Sequence, residues 1–303
     1  MFESTRNVLA RLRTWIGSPL LGAISAQTRV QQSQQDFLIR AEWARSKSVS
    51  RNPLNSFGAK YFSQSDEDGI TLEIIRRLGI EFGTFAELGV GDGLENNTLI
   101  LLANGWRGFW IGGQDLAFDH KINARRLAFF KAWVSLENIG LLMHQGFREI
   151  AIKDLDVLSL DLDGNDYFFA RELLKSGFLP KLFILEYNSK FPPPIKWTIK
   201  YDANHYWDGT DYFGASLASF CELLSNFSYS LVCCNAATGA NAFFVKNDYL
   251  SCFPDLPKTI DDIFIGPQYE LPERWGHRPS SQTIQRMLQI DQSIRSPNDT
   301  MYS

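Results

Sequence analysis

The sequence predicts an α/β protein with a doubly wound, mostly parallel sheet of seven strands and an N-terminal helical extension. Three observations carry this prediction. Short apolar runs alternate with helical patterns after residue 58, which is typical of a parallel sheet covered on both faces. Two later runs are joined by only three residues, which places an antiparallel strand near the sheet edge. The first 58 residues contain no strand pattern.

The extension, residues 1–58, is polar, rich in glutamine and helical in pattern, and it ends at the turn-prone sequence RNPLNSFG. Its start is amphipathic and carries Arg6, Arg11 and Arg13, but it lacks the long apolar stretch of a secretory signal. We favour a helix that packs on the domain or on a partner. Attachment to a membrane surface is the alternative.

The main domain is expected over residues 59–250. Acids open and arginines close its first helix, at 66–80, which complements the helix dipole. The first five strands are predicted at 84–90, 108–113, 131–136, 156–163 and 181–188. The helices between them are predicted at 94–105, 119–130 and 166–177, with Gly105 and Gly177 as stops.

The last two strands, at 229–236 and 240–248, are separated by Ala237, Thr238 and Gly239 alone. A connection that short can only form an antiparallel hairpin, because a parallel crossover needs about a dozen residues or more. Residues 251–303 are rich in proline, so an irregular tail is expected, with a terminal helix at 280–290.

Composition argues against several classes of protein. A net charge of −4 gives no electrostatic case for a nucleic-acid partner. No stretch of about 18 consecutive apolar residues is present, so no transmembrane segment is predicted. The four cysteines form no Cys-x-x-Cys pair, which favours free thiols in a reducing compartment and a cytoplasmic protein. The oligomeric state stays open.

A glycine loop follows the first predicted strand, in the sequence AELGVGDG. Gly89, Gly91 and Gly93 would let the backbone turn tightly and approach a ligand, and Glu87 at the strand end can accept hydrogen bonds from it. Leu94 stands where the dinucleotide fingerprint has its third glycine, which disfavours a nicotinamide dehydrogenase. A tight turn without a ligand is the alternative.

Acids also end the fourth and fifth predicted strands. Asp161 and Asp163 point to one face of the first of these strands, and Glu186 and Asn188 end the next in the same way. Oxygen ligands from adjacent strand ends can hold Mg²⁺. We therefore predict a metal site at Asp163, Glu186 and Asn188. The alternative is a turn at residues 163–165 that caps the next helix, with Asp161 bonded to backbone amides.

These motifs together resemble the FkbM-type methyltransferases, class I S-adenosylmethionine-dependent enzymes that often O-methylate sugars and polyketide-like acceptors. The resemblance covers about residues 59–250, with a weaker echo at GHRPSSQTI. It depends on SQSDEDGI, ELGVGDGLENNT, GWRGFWI, LSLDLDGNDYF, LEYN, YFGASL and NAFFVKND. It implies a Rossmann-like methyltransferase fold, to which the hairpin and its reversed strand also correspond. It further implies that Glu87, Gly89, Gly91, Gly93 and Asp161 bind the cofactor.

The chain departs from the family at one position. In the family, a sequence like GWRGFWI runs into an aspartate that binds the ribose hydroxyls, and Gly112 stands there in this chain. Gln114 and Asp115 are the candidates to replace it. A weakened but working cofactor site is favoured, with restoration of the acid by Gly112→Asp expected to tighten binding. The alternative is a site that no longer binds the cofactor.

The loop after the fifth strand is expected to cover an acceptor pocket. Four aromatic side chains in it are suited to stacking on sugar rings: Trp197, Tyr201, Tyr206 and Trp207. The candidate catalytic residues are Asp163 and His205, and His205 is suited to act as a general base. A structural histidine is the alternative. The sequence thus predicts an O-methyltransferase that transfers a methyl group from S-adenosylmethionine to a small-molecule or glycan acceptor. Mg²⁺ is the candidate metal that would assist deprotonation of the acceptor. A catalytically silent binding or scaffold protein of the same fold is the rival.

Overall fold

The computed structural model of the protein describes residues 2–123 and 126–268. The chain divides into two units, residues 1–46 and residues 47 onward. Helix α1 (Phe2–Val49) begins in the first unit, and its last residues, 47–49, belong to the second. The short 3-10 turn Pro53–Phe57 belongs to the second, where Leu54 and Asn55 are buried. The terminal helix predicted at 280–290 lies outside the described residues.

The second unit alternates strands and helices. Its strands are β1 (Thr84–Leu88), β2 (Arg107–Gly112), β3 (Leu127–Lys131), β4 (Val157–Leu160), β5 (Leu182–Glu186), β6 (Tyr229–Cys234) and β7 (Asn241–Lys246). Its helices are α2 (Glu67–Leu78), α3 (Leu99–Ala103), α4 (Ile139–Glu149), α5 (Asp166–Lys175), α6 (Leu217–Ser225) and α7 (Ile260–Ile263). Further 3-10 turns are His120–Asn123 and Asn247–Cys252.

The seven strands form one sheet in the order β3-β2-β1-β4-β5-β7-β6. Strands β1 to β5 are parallel, whereas β7 runs antiparallel to both β5 and β6. The predicted fold class is therefore confirmed, including the reversed strand next to the edge. This order is that of the class I methyltransferase fold. The carboxyl ends of β1, β2, β4 and β5 meet at one edge of the sheet, where ligands bind in open α/β proteins.

The sheet separates two apolar cores because successive side chains of its strands point to opposite faces. Ala86, Phe109 and Leu158 belong to the core on one face, and Phe85, Trp110 and Val157 to the core on the other. The central strands are buried on both sides, which is why their sequences are almost continuously apolar.

The predicted helix and strand over residues 119–136 were wrong. The sequence at 119–130 predicted a helix and 131–136 a strand, but the third strand is β3, Leu127–Lys131. The run LAFFKAWV is apolar except for Lys131, so its periodicity does not distinguish the two states. The correction moves Trp133 out of the sheet and onto the loop that follows it.

A buried polar network joins the start of α2 to the hairpin. Asn235 Nδ2 donates to Asp66 Oδ1 at 3.1 Å and to Glu67 Oε1 at 3.0 Å, and Asn241 Nδ2 donates to the same Glu67 oxygen at 3.2 Å. Burial, with the neighbouring Glu67 charge, raises the pKa of Asp66 to about 6. Asp66 and Glu67 of the motif SQSDEDGI therefore have a structural role in this network.

Among the described helices, none combines the length and the apolar character that crossing a bilayer requires. The cysteines Cys233 and Cys234 are buried free thiols on β6.

Candidate active site

Two cavities lie at the carboxyl edge of the parallel strands, and they share Gly89, Val90, Gly91, Asp161 and Asp163 as lining residues. The first, of about 390 Å³, we name the aromatic cavity; it is also lined by Gly113, Gln114, Ala132, Trp133, Val134, Leu162, Asn165, Phe169, His205, Tyr206 and Trp207. The second, of about 270 Å³, we name the acidic cavity; it is also lined by Gln64, Glu87, Asp92, Gly93, Glu95, Asn96, Asn97, Glu186 and Asn241.

The three predicted glycines have different reasons to be glycine. Gly89 has a φ of +97°, and a Cβ there would lie 1.5 Å from the Asp161 carbonyl oxygen. Gly93 has a φ of +83°, again in the region that favours glycine. At Gly91 the backbone is ordinary, and an added Cβ would meet no protein atom within 4 Å. Gly91 is thus the one glycine of the three that lines both cavities without a conformational or steric requirement for glycine.

Glu87 lines the acidic cavity, but its carboxylate is occupied by the protein. The backbone amides of Asn97 and Thr98 each donate to it at 2.9 Å, and the Thr98 hydroxyl donates at 2.5 Å. Trp110 Nε1 donates in turn to the Thr98 oxygen at 2.9 Å. Burial raises the pKa of Glu87. Its contacts fix the loop before α3, and they explain the acid at this strand end without a ligand.

The end of β2 presents no acid to the aromatic cavity. A Cβ on Gly112 would lie 2.0 Å from the Val90 carbonyl oxygen. The expectation that Gly112→Asp tightens cofactor binding is therefore wrong, because the new side chain would clash with the backbone. A Cβ on Gly113 would make only ordinary contact, 3.6 Å from Trp133 Cε3. Gln114 lines the cavity, whereas Asp115 does not and accepts a hydrogen bond from Lys131 Nζ at 2.7 Å.

Asp163 and Glu186 come together as predicted, and Asp161, which was predicted to bind the cofactor, joins them in place of Asn188. One carboxylate oxygen from each lies within 4.8 Å of the others. Burial and the neighbouring carboxylates raise the pKa of Asp161 and of Glu186 well above their ordinary values, and the two side chains hydrogen-bond to each other. Three hard oxygen donors in this arrangement are a suitable ligand set for Mg²⁺.

The amide expected to complete this group does not join it. Asn188 lines neither cavity; its Nδ2 donates to the carbonyls of Asp211 and Phe213 at 2.8 and 3.1 Å. Asn241, which sequence reasoning missed, is the β7 residue paired with Glu186. It is 7% exposed, lines the acidic cavity, and its Oδ1 is buried with no partner among the described residues.

The turn after β4 is held by Asp166, which the sequence did not single out. Its carboxylate accepts from the Leu162 amide at 2.8 Å and from the Gly164 amide at 2.9 Å. Burial raises the pKa of Asp166 to about 6. Because Asp166 stabilises the turn, Asp161 is not needed for the backbone-bonding role that was its alternative. Asp163 sits in this turn at a φ of +53°.

The loop before α6 contributes some of its predicted residues and not others. His205, Tyr206 and Trp207 line the aromatic cavity, and His205 Nε2 is buried without a hydrogen-bond partner in the described part of the chain. Trp197 is buried in a small separate core, stacked on Phe191 with ring centroids 4.3 Å apart. Tyr201 also lines neither cavity.

Trp133 is another lining residue that sequence reasoning missed. Its placement in a predicted strand hid it, and the structure leaves it 60% exposed at the wall of the aromatic cavity. The signal that could have revealed it is the break in the apolar run at Lys131, which ends β3.

No protein family matches the chain, and no curated protein sequence is detectably similar to it. Solved structures give distant similarities. The 1,6-didemethyltoxoflavin-N1-methyltransferase of Burkholderia thailandensis, solved with S-adenosylhomocysteine, has 14% identity and a TM-score of 0.36 over 59% of this chain and 76% of that chain.

An O-methyltransferase family 2 protein of Planctomyces limnophilus, in complex with apigenin, has 15% identity and a TM-score of 0.31 over 70% of this chain and 61% of that chain. The cyclopropane synthase MmaA2 of Mycobacterium tuberculosis has 10% identity and a TM-score of 0.30 over 61% and 70%. The strand order, rather than these similarities, identifies the class I methyltransferase fold.

Proposed function

We propose that this chain is an S-adenosylmethionine-dependent methyltransferase of the FkbM type that methylates a hydroxyl of a sugar or glycan precursor. The observation that carries the proposal is Gly91. Neither its φ nor a neighbouring protein atom requires glycine, yet the residue lines both cavities, and an added Cβ would stand in open space. A ligand that lies close to this backbone accounts for the residue.

The pair of cavities suits the shape of S-adenosylmethionine, in which a nucleoside and an amino acid are joined through a sulfonium. With the nucleoside in the aromatic cavity and the amino acid towards the acidic cavity, the sulfonium would lie near Gly91. Asp161 and Asp163 line both cavities and would then be near the methyl group. Their negative charge favours a cationic ligand.

The transfer asks little covalent chemistry of the protein, because the methyl group already carries its leaving group. The acceptor oxygen must be aligned and must lose its proton. We assign the proton transfer to Asp163 or to His205. Both line the aromatic cavity, and the unpartnered Nε2 of His205 can accept a proton.

Asp161, Asp163 and Glu186 would hold a Mg²⁺ ion if the enzyme uses one. Such an ion lowers the pKa of a hydroxyl bound to it. Without it, a proton shared between the half-buried Asp161 and Glu186 would relieve the repulsion that, together with desolvation, raises the pKa of each. Reversible loss of methyl transfer in EDTA, restored by Mg²⁺, is the expected result. Full activity in EDTA would leave the three acids an acceptor-binding role.

The rival, a silent binding protein, is favoured by one observation. No carboxylate at the end of β2 lines the aromatic cavity, so the ribose loses its usual acceptor. Calorimetry separates the two functions. A catalytically competent protein binds S-adenosylhomocysteine, whereas a silent relative that has lost the site does not.

The test of the cofactor assignment uses two glycines that both have room for a side chain. Gly91→Val should weaken S-adenosylhomocysteine binding more than about tenfold, because the side chain occupies ligand space. Gly140 also has an ordinary φ and nothing within 4 Å of an added Cβ, and it lines neither cavity. Gly140→Val is the matched control and should bind normally. Equal affinities of the two variants would overturn the assignment.

A further inference from the structure

We propose that Trp133 holds the nucleoside of the cofactor by stacking, and that this site does not read the ribose hydroxyls. The inference rests on the proposed function, since the ligand is the adenosyl group of S-adenosylmethionine. The proposed contact is stacking of the flat adenine base on the indole ring of Trp133.

The indole of Trp133 is largely exposed at the wall of the aromatic cavity. Its side chain is 60% exposed and lines the aromatic cavity, while the next residue, Val134, is 5% exposed and belongs to the core. The indole is therefore not needed for packing in the described part of the protein. A large aromatic surface left at a cavity wall is available to a ligand.

Hydrogen bonds hold the backbone on both sides of Trp133. The amide of Ala132 donates to the Gly112 carbonyl at 2.9 Å, which extends the pairing of β2 with β3. On the other side, Asn138 Nδ2 donates to the Trp133 carbonyl at 2.8 Å, and Asn138 Oδ1 accepts from the Ser135 amide at 2.8 Å. Trp133 is anchored before and after its own Cα, which limits the entropy lost when a ligand stacks on it.

The end of β2 provides no carboxylate that could accept hydrogen bonds from the ribose hydroxyls. Gly112 cannot carry a side chain without displacing the Val90 carbonyl, and the Asp115 carboxylate is paired with Lys131. Gly113 lies beside the indole, with its Cβ position 3.6 Å from Trp133 Cε3. The residues next to the expected ribose thus provide aromatic surface and the neutral amide of Gln114.

The experiment measures binding of S-adenosylhomocysteine, and of its analogue without ribose hydroxyls, by calorimetry. Wild type should bind the two within about threefold of each other. Trp133→Ala should weaken both by about ten- to hundredfold, the range expected for loss of one base-stacking contact. Trp133→Phe should retain binding within about threefold, since it preserves a ring. Phe82→Ala removes another exposed ring, one that lines neither cavity, and serves as the control.

A spectroscopic signature distinguishes stacking from a structural role. The ligand should quench tryptophan fluorescence in wild type, and Trp133→Phe should lose most of that quenching while it still binds. Gly113→Asp should introduce discrimination, favouring the ligand with hydroxyls by about tenfold through charge-assisted hydrogen bonds.

The outcomes separate the two proposals. Binding by wild type that is unchanged in Trp133→Ala, or a wild-type preference of tenfold or more for the hydroxylated ligand, would overturn the inference and leave the methyltransferase proposal standing. No binding of S-adenosylhomocysteine by wild type would overturn both.

Discussion

The acidic cavity and the aromatic cavity share the glycine loop, but they differ in how their side chains are held. Glu87 in the acidic cavity is 4% exposed and accepts three hydrogen bonds from the protein. Trp133 and Tyr206 in the aromatic cavity are 60% and 79% exposed. Residues of the acidic wall therefore combine structural and chemical roles. Exposed residues of the aromatic wall can change while the fold is retained, and their loss should alter affinity alone.

The largest expected effect is on catalysis, at Asp163. Asp163→Asn should reduce the methyl-transfer rate about a hundredfold or more while S-adenosylhomocysteine affinity stays within about twofold. Asparagine is the appropriate replacement because it tolerates the left-handed backbone, with φ +53°, that Asp163 adopts. Single-turnover kinetics with a methylated product as readout would measure the rate.

The control for Asp163 is Asp115→Asn, at a carboxylate that is 84% exposed and lines neither cavity. It should transfer methyl groups at the wild-type rate. If Asp163→Asn also kept the wild-type rate, proton transfer would belong to another group, with His205 the next candidate.

The second effect is on stability, at Glu87. Glu87→Ala removes the acceptor of three hydrogen bonds, and we expect the free energy of unfolding to fall by about 3 kcal/mol. Urea unfolding measures it, with the exposed Glu81→Ala as control. A loss below about 0.5 kcal/mol would show that the loop before α3 does not depend on this carboxylate.

The third effect compares neighbouring glycines at the end of β2. Gly112→Ala should destabilise the fold by about 1–3 kcal/mol, because its Cβ would overlap the Val90 carbonyl. Gly113→Ala should change stability by less than about 0.5 kcal/mol. Thermal or urea unfolding of the pair gives the answer directly. Equal stabilities would mean that the Val90 carbonyl moves aside easily, contrary to the steric reason given for Gly112.

The smallest effect concerns the network behind the acidic cavity. The pKa of Asp66 is raised from 3.8 to about 6, so the folded state binds its proton more tightly than the unfolded state. The resulting stabilisation is present below about pH 4 and is lost as the pH rises through about 6. Asp66→Asn has no such titration.

The stability of Asp66→Asn relative to wild type should therefore be about 1–2 kcal/mol more favourable at pH 8 than at pH 4. Urea unfolding of both proteins at the two pH values measures the difference. Asp166, whose pKa shifts in the same direction, is present in both proteins and cancels. A relative stability that does not vary with pH would contradict burial as the cause.

Much of the fold could be predicted from the sequence, because apolar runs and short linkers constrain it strongly. The three-residue connection after β6 required an antiparallel hairpin, and β7 has that direction. The meeting of Asp163 and Glu186 followed from parallel strands that end at one edge. These predictions depend on local pattern and topology alone.

The remaining site residues could not be predicted because they depend on contacts between distant segments. Asn241 pairs with Glu186 only once β7 inserts beside β5. Asn188 is drawn away by carbonyls of a loop more than twenty residues later, Asp211 and Phe213. The steric reason for Gly112 is the Val90 carbonyl, which no spacing rule contains.

A crystal structure of the protein with S-adenosylhomocysteine would test the central claim most directly. We predict the sulfur above Gly91, the adenine against the ring of Trp133, and the amino-acid end directed towards the acidic cavity. Asp161 and Asp163 should lie beside the position from which the methyl group leaves. A ligand bound elsewhere would contradict this claim. So would a structure at saturating ligand concentration in which no ligand atom contacts Gly91.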